Sequence, residues 1–355
     1  MVLRIFNRLV KMAEFSVARK SQFVHSKLKP HPIYASFKVT DNCNSRCITC
    51  GAWRKKSTNE LTTNEVKGIL KQFKKLGVIE VGFDGGEPLL RKDICELISY
   101  ATKLGLRTGI STNGLLIDQD ISVQLLKSGI SGITISLDGL ENTHDMIRGI
   151  DGAFEKTLEA IKILCNFKKL HKFNLKIAIT IMEINLDDII PVVNLADNLG
   201  ITVHFNLLDF SPYYFKDAKD NNLWVKSHHK LEKVLKNLLI LKKKKPYLLD
   251  IDYSFVEFTK RYFYDPIQKK IPCVVGYNRL HIGSHGEVYP CWVLPSSGNL
   301  REDSLEHILC SQRHKIMLKK MLNKKCPGCS CATSSNDAYH LPTLISRKIR
   351  SLVKI

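Results

Sequence analysis

The sequence specifies an α/β fold built on a parallel sheet, and three observations carry that expectation. Six short apolar runs each precede or follow a stretch with helical periodicity, in strict alternation from residue 33 to residue 207. The first two helical stretches each stop at a glycine, Gly77 and Gly105. Clusters of small polar residues stand just past the carboxyl ends of the apolar runs, where parallel α/β folds place their sites. Strands in this order with helices between them require right-handed crossovers. A partial barrel and an open doubly wound sheet share that alternation.

The elements follow in order. Residues 33–40 alternate as a strand and lead into a cysteine-rich loop. In 63–76, Val66, Ile69, Leu70 and Phe73 share one helical face. Strand 78–83 precedes a helix at 92–104, strand 107–111 a helix near 117–127, and strand 133–137 a long helix at 153–170. Strand 175–182 precedes a helix at 186–198, and strand 201–207 closes the series. Residues 209–270 form a connecting region with an aromatic cluster (Phe210, Tyr213, Tyr214, Phe215) and the basic run Lys242 to Lys245. That run ends an amphipathic stretch, 231–241, and reads as a solvated helix end; no nucleic-acid module is visible.

At 355 residues the chain holds one large domain and a smaller one, at about 150 residues per domain. Eleven cysteines, an odd number with no signal peptide ahead of them, suit metal or cluster ligation better than disulfides. No apolar run approaches the ~20 residues of a membrane span. The formal charge of +20 implies an anionic partner. Part of it lies in residues 1–29, with seven Lys or Arg against the single acid Glu14, where Leu3, Ile5, Phe6, Leu9, Val10 and Met12 recur near the helical period. That is the pattern of an interfacial anchor or of a helix packed on the protein's own surface.

Cys43, Cys47 and Cys50 stand at C-x3-C-x2-C spacing directly after the first strand. Three thiolates on one loop bind three irons of a [4Fe–4S] cubane and leave the fourth open, whereas zinc sites favour C-x2-C pairs and four ligands. This triad in this place resembles the radical S-adenosylmethionine (radical SAM) superfamily. The resemblance implies a partial (β/α)6 TIM-like barrel whose open iron chelates SAM and whose cluster cleaves it to a 5′-deoxyadenosyl radical. Where that family carries an aromatic residue before the third cysteine this chain has Thr49; Trp53 is the substitute it offers for the adenine contact. Gly85-Gly86-Glu87-Pro88 after the second strand resembles the family's GGEP motif, which helps hold the SAM amino group. By the same resemblance Ser111, Asn113, Ser136 and Asp138 contact the ribose, and Arg148 the carboxylate. Strand-end capping is the plainer reading of the four polar residues, and a surface ion pair that of Arg148. Cys95 and Cys165 sit in amphipathic helices and read as core thiols.

A second cysteine group starts at Cys273. Cys291 ends a turn and short strand, a helix follows at 304–322 with Cys310 inside it, and Cys326-Pro-Gly-Cys329-Ser-Cys331 comes next. The group resembles the SPASM and twitch extensions of radical SAM enzymes, with too few cysteines for the two clusters of a full SPASM domain. It implies a small cysteine-rich α+β extension with a second, auxiliary [4Fe–4S] cluster on Cys273, Cys291, Cys326 and Cys329; zinc is the alternative. The chain thus divides into a basic segment (1–29), a core (30–208), a connecting helical region (209–270), an auxiliary domain (271–335) and a basic tail (336–355). The resemblance implies an oxidoreductase that abstracts hydrogen from a small molecule, lipid or peptide. A ferredoxin or flavodoxin would supply its electrons, and it would work in the cytoplasm, either free or at an anionic membrane surface. A peptide-modifying maturase and a metal-bound scaffold without turnover are the alternatives. No residue beyond the cofactor shell is assigned an acid or base role.

Overall fold

The computed structural model describes residues 30–54, 57–208, 222–265 and 273–326. The basic N-terminal segment, the aromatic cluster at 210–215, Cys329, Cys331 and the C-terminal tail lie outside the described residues.

Six parallel strands form the core: β1 (Tyr34–Thr40), β2 (Glu80–Gly85), β3 (Arg107–Thr112), β4 (Gly132–Ser136), β5 (Asn174–Ile181) and β6 (Thr202–Leu207). The intervening helices are α1 (Thr63–Lys75), α2 (Ile94–Lys103), α3 (Gln119–Lys127), α4 (Glu141–Arg148), α5 (Ala153–Lys168) and α6 (Ile189–Asn198). The chain is therefore the partial barrel that the alternation left open. Period-two patterning separates its two faces. Ala35, Phe37 and Val39 of β1 lie buried under the helices, with Phe37 against Phe73 of α1 at 6.0 Å and Phe83 of β2 at 6.5 Å. The alternate residues, Ser36 and Lys38 of β1 with Asp84, Ser111, Thr134 and Lys176 of the next four strands, give the inner face a polar lining.

The cysteine-rich extension enlarges the same sheet. β7 (Arg279–Ile282) pairs in parallel with β1, and the short strands β8 (Glu287–Tyr289) and β9 (Gly298–Asn299) follow antiparallel. The sheet order is β6-β5-β4-β3-β2-β1-β7-β8-β9. The connecting region holds two helices, α7 (His228–Lys244) and α8 (Tyr253–Tyr264). α8 buries Phe255, Val256, Thr259, Tyr262 and Phe263 at helical spacing, a second helix in the connecting region beside the amphipathic stretch expected at 231–241. After the one-turn α9 (Val275–Asn278), the helix expected at 304–322 is two, α10 (Leu305–Cys310) and α11 (Gln312–Leu322). Ser311 breaks it because its backbone is extended and its hydroxyl accepts from His314 N, capping the second helix. Cys310 ends α10 and is exposed. No helix among the described residues is long and apolar enough to cross a membrane.

Arg301, just past β9, pins the extension to the core. Its guanidinium meets Glu65 of α1 through Nε to Oε1 at 2.6 Å and Nη2 to Oε2 at 3.2 Å, and donates to the carbonyls of Asn59 and Glu60. The Arg301 bonds to the carboxylate, with those from Thr62, hold the Glu65 carboxyl down at about 2, below its ordinary 4.5. A depressed carboxyl stabilises the fold above its unfolded pKa and loses that stabilisation as pH falls through its folded one. Because the pair is largely solvent-exposed, Arg301→Met should cost about 0.5–1 kcal/mol at pH 7. The gap between variant and wild-type melting temperatures should close as pH drops from 4.5 towards 2; a gap constant across that window would mean the ion pair contributes nothing.

Candidate active site

The loop at 41–50, which carries the three cysteines, has no regular structure of its own, and two neighbours hold it from opposite sides. On one side lies the turn after β2. Gly86 N donates to Thr40 O at 2.8 Å and Glu87 N to Asn42 O at 2.7 Å. A methyl carbon at Gly86 would lie 2.1 Å from Asn42 O, so only glycine permits that approach. On the other side is the end of α4. Arg46 N donates to Arg148 O at 2.9 Å and Ile48 N to Ile147 O at 3.0 Å, and Gly149, with φ of 65°, lets the chain turn away beneath Arg46.

A third brace comes from β3. The Asn113 amide donates to Asn44 Oδ1 at 2.7 Å and Ser45 Oγ at 2.9 Å. Asn113 N and Thr112 Oγ1 donate to the buried Glu87 carboxylate, each at 2.8 Å. Leu89 N joins them at 3.1 Å, and Pro88 opens the short 3₁₀ turn that follows. Burial drives the Glu87 carboxyl upward while these three bonds oppose it. Of the GGEP residues, then, Gly86 and Glu87 serve as struts of the loop.

The sulfurs lie within electrostatic reach of one another. Burial pushes the Cys43 thiol up to about 11, with Cys47 and Cys50 adding to the rise, and raises Cys50 as well. Cys43 Sγ accepts from Ser45 N and Cys50 Sγ from Ala52 N, each at 3.4 Å. The Arg148 guanidinium stands over them, its Nη1 3.6 Å from Cys47 Sγ and its Nη2 2.5 Å from Asp138 Oδ2. Burial disfavours its charge, but Asp138 and the sulfurs of Cys47 and Cys43 more than restore it. Asp138 is held in turn by Thr180 N on Oδ1 at 2.7 Å, and its own N–H donates to His144 Nδ1 at 3.1 Å. Arg148 Nε is buried without a hydrogen-bond partner among the described residues.

Among the described residues no three His, Cys, Asp or Glu side chains close on one point as a single ion requires. A four-iron cubane takes each thiolate at a separate iron, so its ligands stand apart. N–H donors on two sulfurs, a buried cation on the third and an unsatisfied donor beside them fit a cluster with an open iron and an anionic ligand on it. Ser111 and Ser136 lie at the ends of β3 and β4, exposed and half-buried; Ser111 bonds Asp84, and Ser136 stands in register with Ala178 of β5. Trp53 Nε1 donates to Cys47 O at 3.2 Å, with Arg54 stacked on its ring.

Cys273, Cys291 and Cys326 gather, half-buried, against one small apolar cluster that includes Val275, Tyr277, Leu294, Met317 and Met321. Three of the four expected auxiliary ligands thus share one apolar neighbourhood. Asn44, Ser45, Thr112, Thr180, Asn185 and His144 were invisible as site residues, because each acts through a contact that only the fold creates, Asn185 by donating from its amide to Asp138 O at 2.6 Å. Lys38 and Asp41, paired at 2.6 Å beneath the loop, are of the same kind.

Comparison with known proteins agrees with this geometry. The radical SAM superfamily profile matches residues 37–196, and that of an iron–sulfur cluster-binding (SPASM) domain matches 273–331. An AdoMet-dependent heme synthase of Methanosarcina barkeri is 29% identical over 87% of this chain and 92% of its own length. The mycofactocin maturase MftC of Mycolicibacterium smegmatis is 31% identical over 50% of this chain and 45% of its own. The fold is similar to that of Streptococcus suis SuiB bound to the precursor peptide SuiA, with TM-score 0.63 and 18% identity over 81% of this chain and 66% of that one.

Removing one partner of a buried ion pair costs about 3–5 kcal/mol. Asp138→Asn should therefore lower the urea midpoint of the iron-free protein by the equivalent of that loss, with the denaturant slope unchanged. An unaltered midpoint would show that Arg148 does not depend on Asp138.

Proposed function

We propose that this chain, a member of the radical SAM superfamily with a SPASM domain, is an oxidoreductase that removes hydrogen from an unactivated C–H bond of its substrate. The bound cofactors supply reductive cleavage of SAM to a 5′-deoxyadenosyl radical and, at a second cluster, an electron acceptor. Cys43, Cys47 and Cys50 hold the first cluster. Cys273, Cys291, Cys326 and Cys329 hold the second. Gly85 and Gly86 let the turn after β2 close against the loop backbone, Glu87 and Pro88 fix that turn, and together they flank the SAM amino group. Ser111, Asn113, Ser136 and Asp138 line the ribose side.

The observation that carries this reading is Arg148. One end of its guanidinium faces a cluster sulfur and one nitrogen is tied to Asp138, which leaves Nε–H for the carboxylate of SAM. A low-potential ferredoxin or flavodoxin is the donor this scheme requires. A peptide-modifying maturase is the second reading, favoured by the likeness to MftC by name and to SuiB by fold.

Cys43→Ala, Cys47→Ala and Cys50→Ala should each abolish 5′-deoxyadenosine formation from SAM and dithionite; continued formation by any one of them would end the assignment. Wild-type protein should bind about eight irons and the triple variant about half as many, on two four-iron clusters. Zinc without iron in the triple variant would make the second site a zinc ribbon.

The basic amphipathic ends suggest attachment to anionic membranes, at about 1 kcal/mol per basic residue near the leaflet. Flotation should then show binding to phosphatidylserine vesicles that weakens with salt. Binding that persists after deletion of residues 1–27, or that is equal on neutral vesicles, would remove the membrane from the scheme.

A further inference from the structure

The strand register arranges the polar inner face in layers. Gly82, Gly109 and Gly132 stand side by side on β2, β3 and β4, with Asn174 of β5 next in line. One layer towards the cysteine loop come Ser111, Thr134 and Lys176, and above them Ser136, Ala178 and His204. Three adjacent glycines leave a strip of bare backbone on the inner face towards the amino ends of the strands, where β4 begins.

The strip is open on one side only. A methyl carbon on Gly82 would meet the Tyr34 hydroxyl at 2.3 Å, so that end is closed. On Gly109 the nearest atom would be Gly132 O at 3.8 Å, and on Gly132 it would be Asn174 O at 3.5 Å. Above these two glycines lies a cavity of about 320 Å³ whose walls include Tyr34, Glu80, Arg107, Ser111, Asn174 and Lys176. Ser111 belongs both to this wall and to the proposed cofactor shell, so a molecule held here reaches the shell from below.

The charged groups around the cavity have donors left over. Lys176 Nζ bonds Asp250 Oδ2 at 3.1 Å, which uses one of the three N–H bonds of an ammonium. His204 Nδ1 stands 3.6 Å from the same oxygen. It heads the influences that keep Asp250 well below the usual carboxylate range. Asp250 is thus a fixed anion that positions Lys176. At the rim, Arg107 Nε is 3.9 Å from Glu80, beyond hydrogen-bond distance, so its guanidinium donors remain unused among the described residues.

We propose that this cavity anchors the substrate by an acidic group, a carboxylate or a phosphate, through Lys176 and Arg107. Lys176 and Arg107 carry N–H donors beyond those that Asp250 and Glu80 engage, and with the bare backbone floor they suit an acceptor-rich group that lies close against the sheet. The substrate is then an acidic small molecule whose reactive carbon lies on the Ser111 side of its anchored end. This inference rests on the radical-enzyme reading above.

The test uses full-length, anaerobically reconstituted protein with SAM, dithionite and a perdeuterated cell extract divided on an anion exchanger. Half of the retained fraction is treated with phosphatase. Deuterium carried into 5′-deoxyadenosine should come from the retained fraction alone, and phosphatase sensitivity separates phosphate from carboxylate. Gly109→Val fills the open floor with a residue that strands favour, and Lys176→Gln removes the anchor. Both variants should keep wild-type iron content and circular dichroism. Each should lose deuterium transfer on the order of tenfold or more, the size of a lost charge-assisted hydrogen bond. A donor in the unretained fraction, or undiminished transfer by both variants, would overturn the proposal. If wild-type protein forms no 5′-deoxyadenosine at all, the radical-enzyme reading fails first and this inference falls with it.

Discussion

Backbone contacts from two sides, Glu87 N to Asn42 O on one and Arg46 N to Arg148 O with Ile48 N to Ile147 O on the other, hold a loop that has no secondary structure to hold itself. Much of the site depends on that grip. One side ties the loop to the end of β2 and the other to the end of α4, so the sulfurs are positioned by the sheet and the helices rather than by the loop's own preferences. Ordering such a loop costs about 1–2 kcal/mol of backbone entropy per residue. The fold offsets that cost by satisfying the loop's backbone groups at several points, with Asn113 adding side-chain bonds to Asn44 and Ser45.

Charge follows from the same placement. Burial makes thiolates unfavourable and pushes Cys43 up to about 11, yet a cluster needs its ligands deprotonated. Assembly of the proposed cluster on these thiols would therefore displace protons, and the Arg148 cation beside Cys47 would offset the negative charge. Asp138 keeps that cation in place, and Thr180 N keeps Asp138 in place. His144 completes the chain as a neutral group: burial and then the Arg148 charge bring it down to about 3, so its Nδ1 stays an acceptor for Asp138 N at any ordinary pH.

What could be read from the sequence divides by the range of the interactions involved. The alternating strands, the α1 face of Val66, Ile69, Leu70 and Phe73, and the cysteine spacing are local patterns, and all were legible. The joining of β7 to β1 was not, because more than two hundred residues separate partners such as Tyr34 and Arg279. The break at Ser311 was hidden because the apolar spacing continues across it while a single serine hydroxyl decides the geometry. At the site, residue types identified chemistry but not contacts. Glu87 reads as a carboxylate in a motif, and only the fold shows it accepting from Thr112, Asn113 and Leu89. Lys176, His204 and Asp250 carry no motif and meet only because β5, β6 and the segment after α7 lie side by side.

The extension is built onto the barrel sheet and reaches the cysteine loop directly. Ser284, in the turn after β7, donates to Asp41 at 2.8 Å, and Asp41 also holds Lys38 from the barrel interior. Both cysteine groups are thereby tied to one sheet. The central claim is that the 41–50 loop presents a three-thiolate cluster whose remaining iron takes SAM. Electron paramagnetic resonance of the dithionite-reduced protein, recorded before and after addition of SAM, tests it most directly. The account predicts a reduced-cluster signal that changes when SAM binds, in wild-type protein and not in the Cys43→Ala variant. A wild-type signal unaltered by saturating SAM would contradict it.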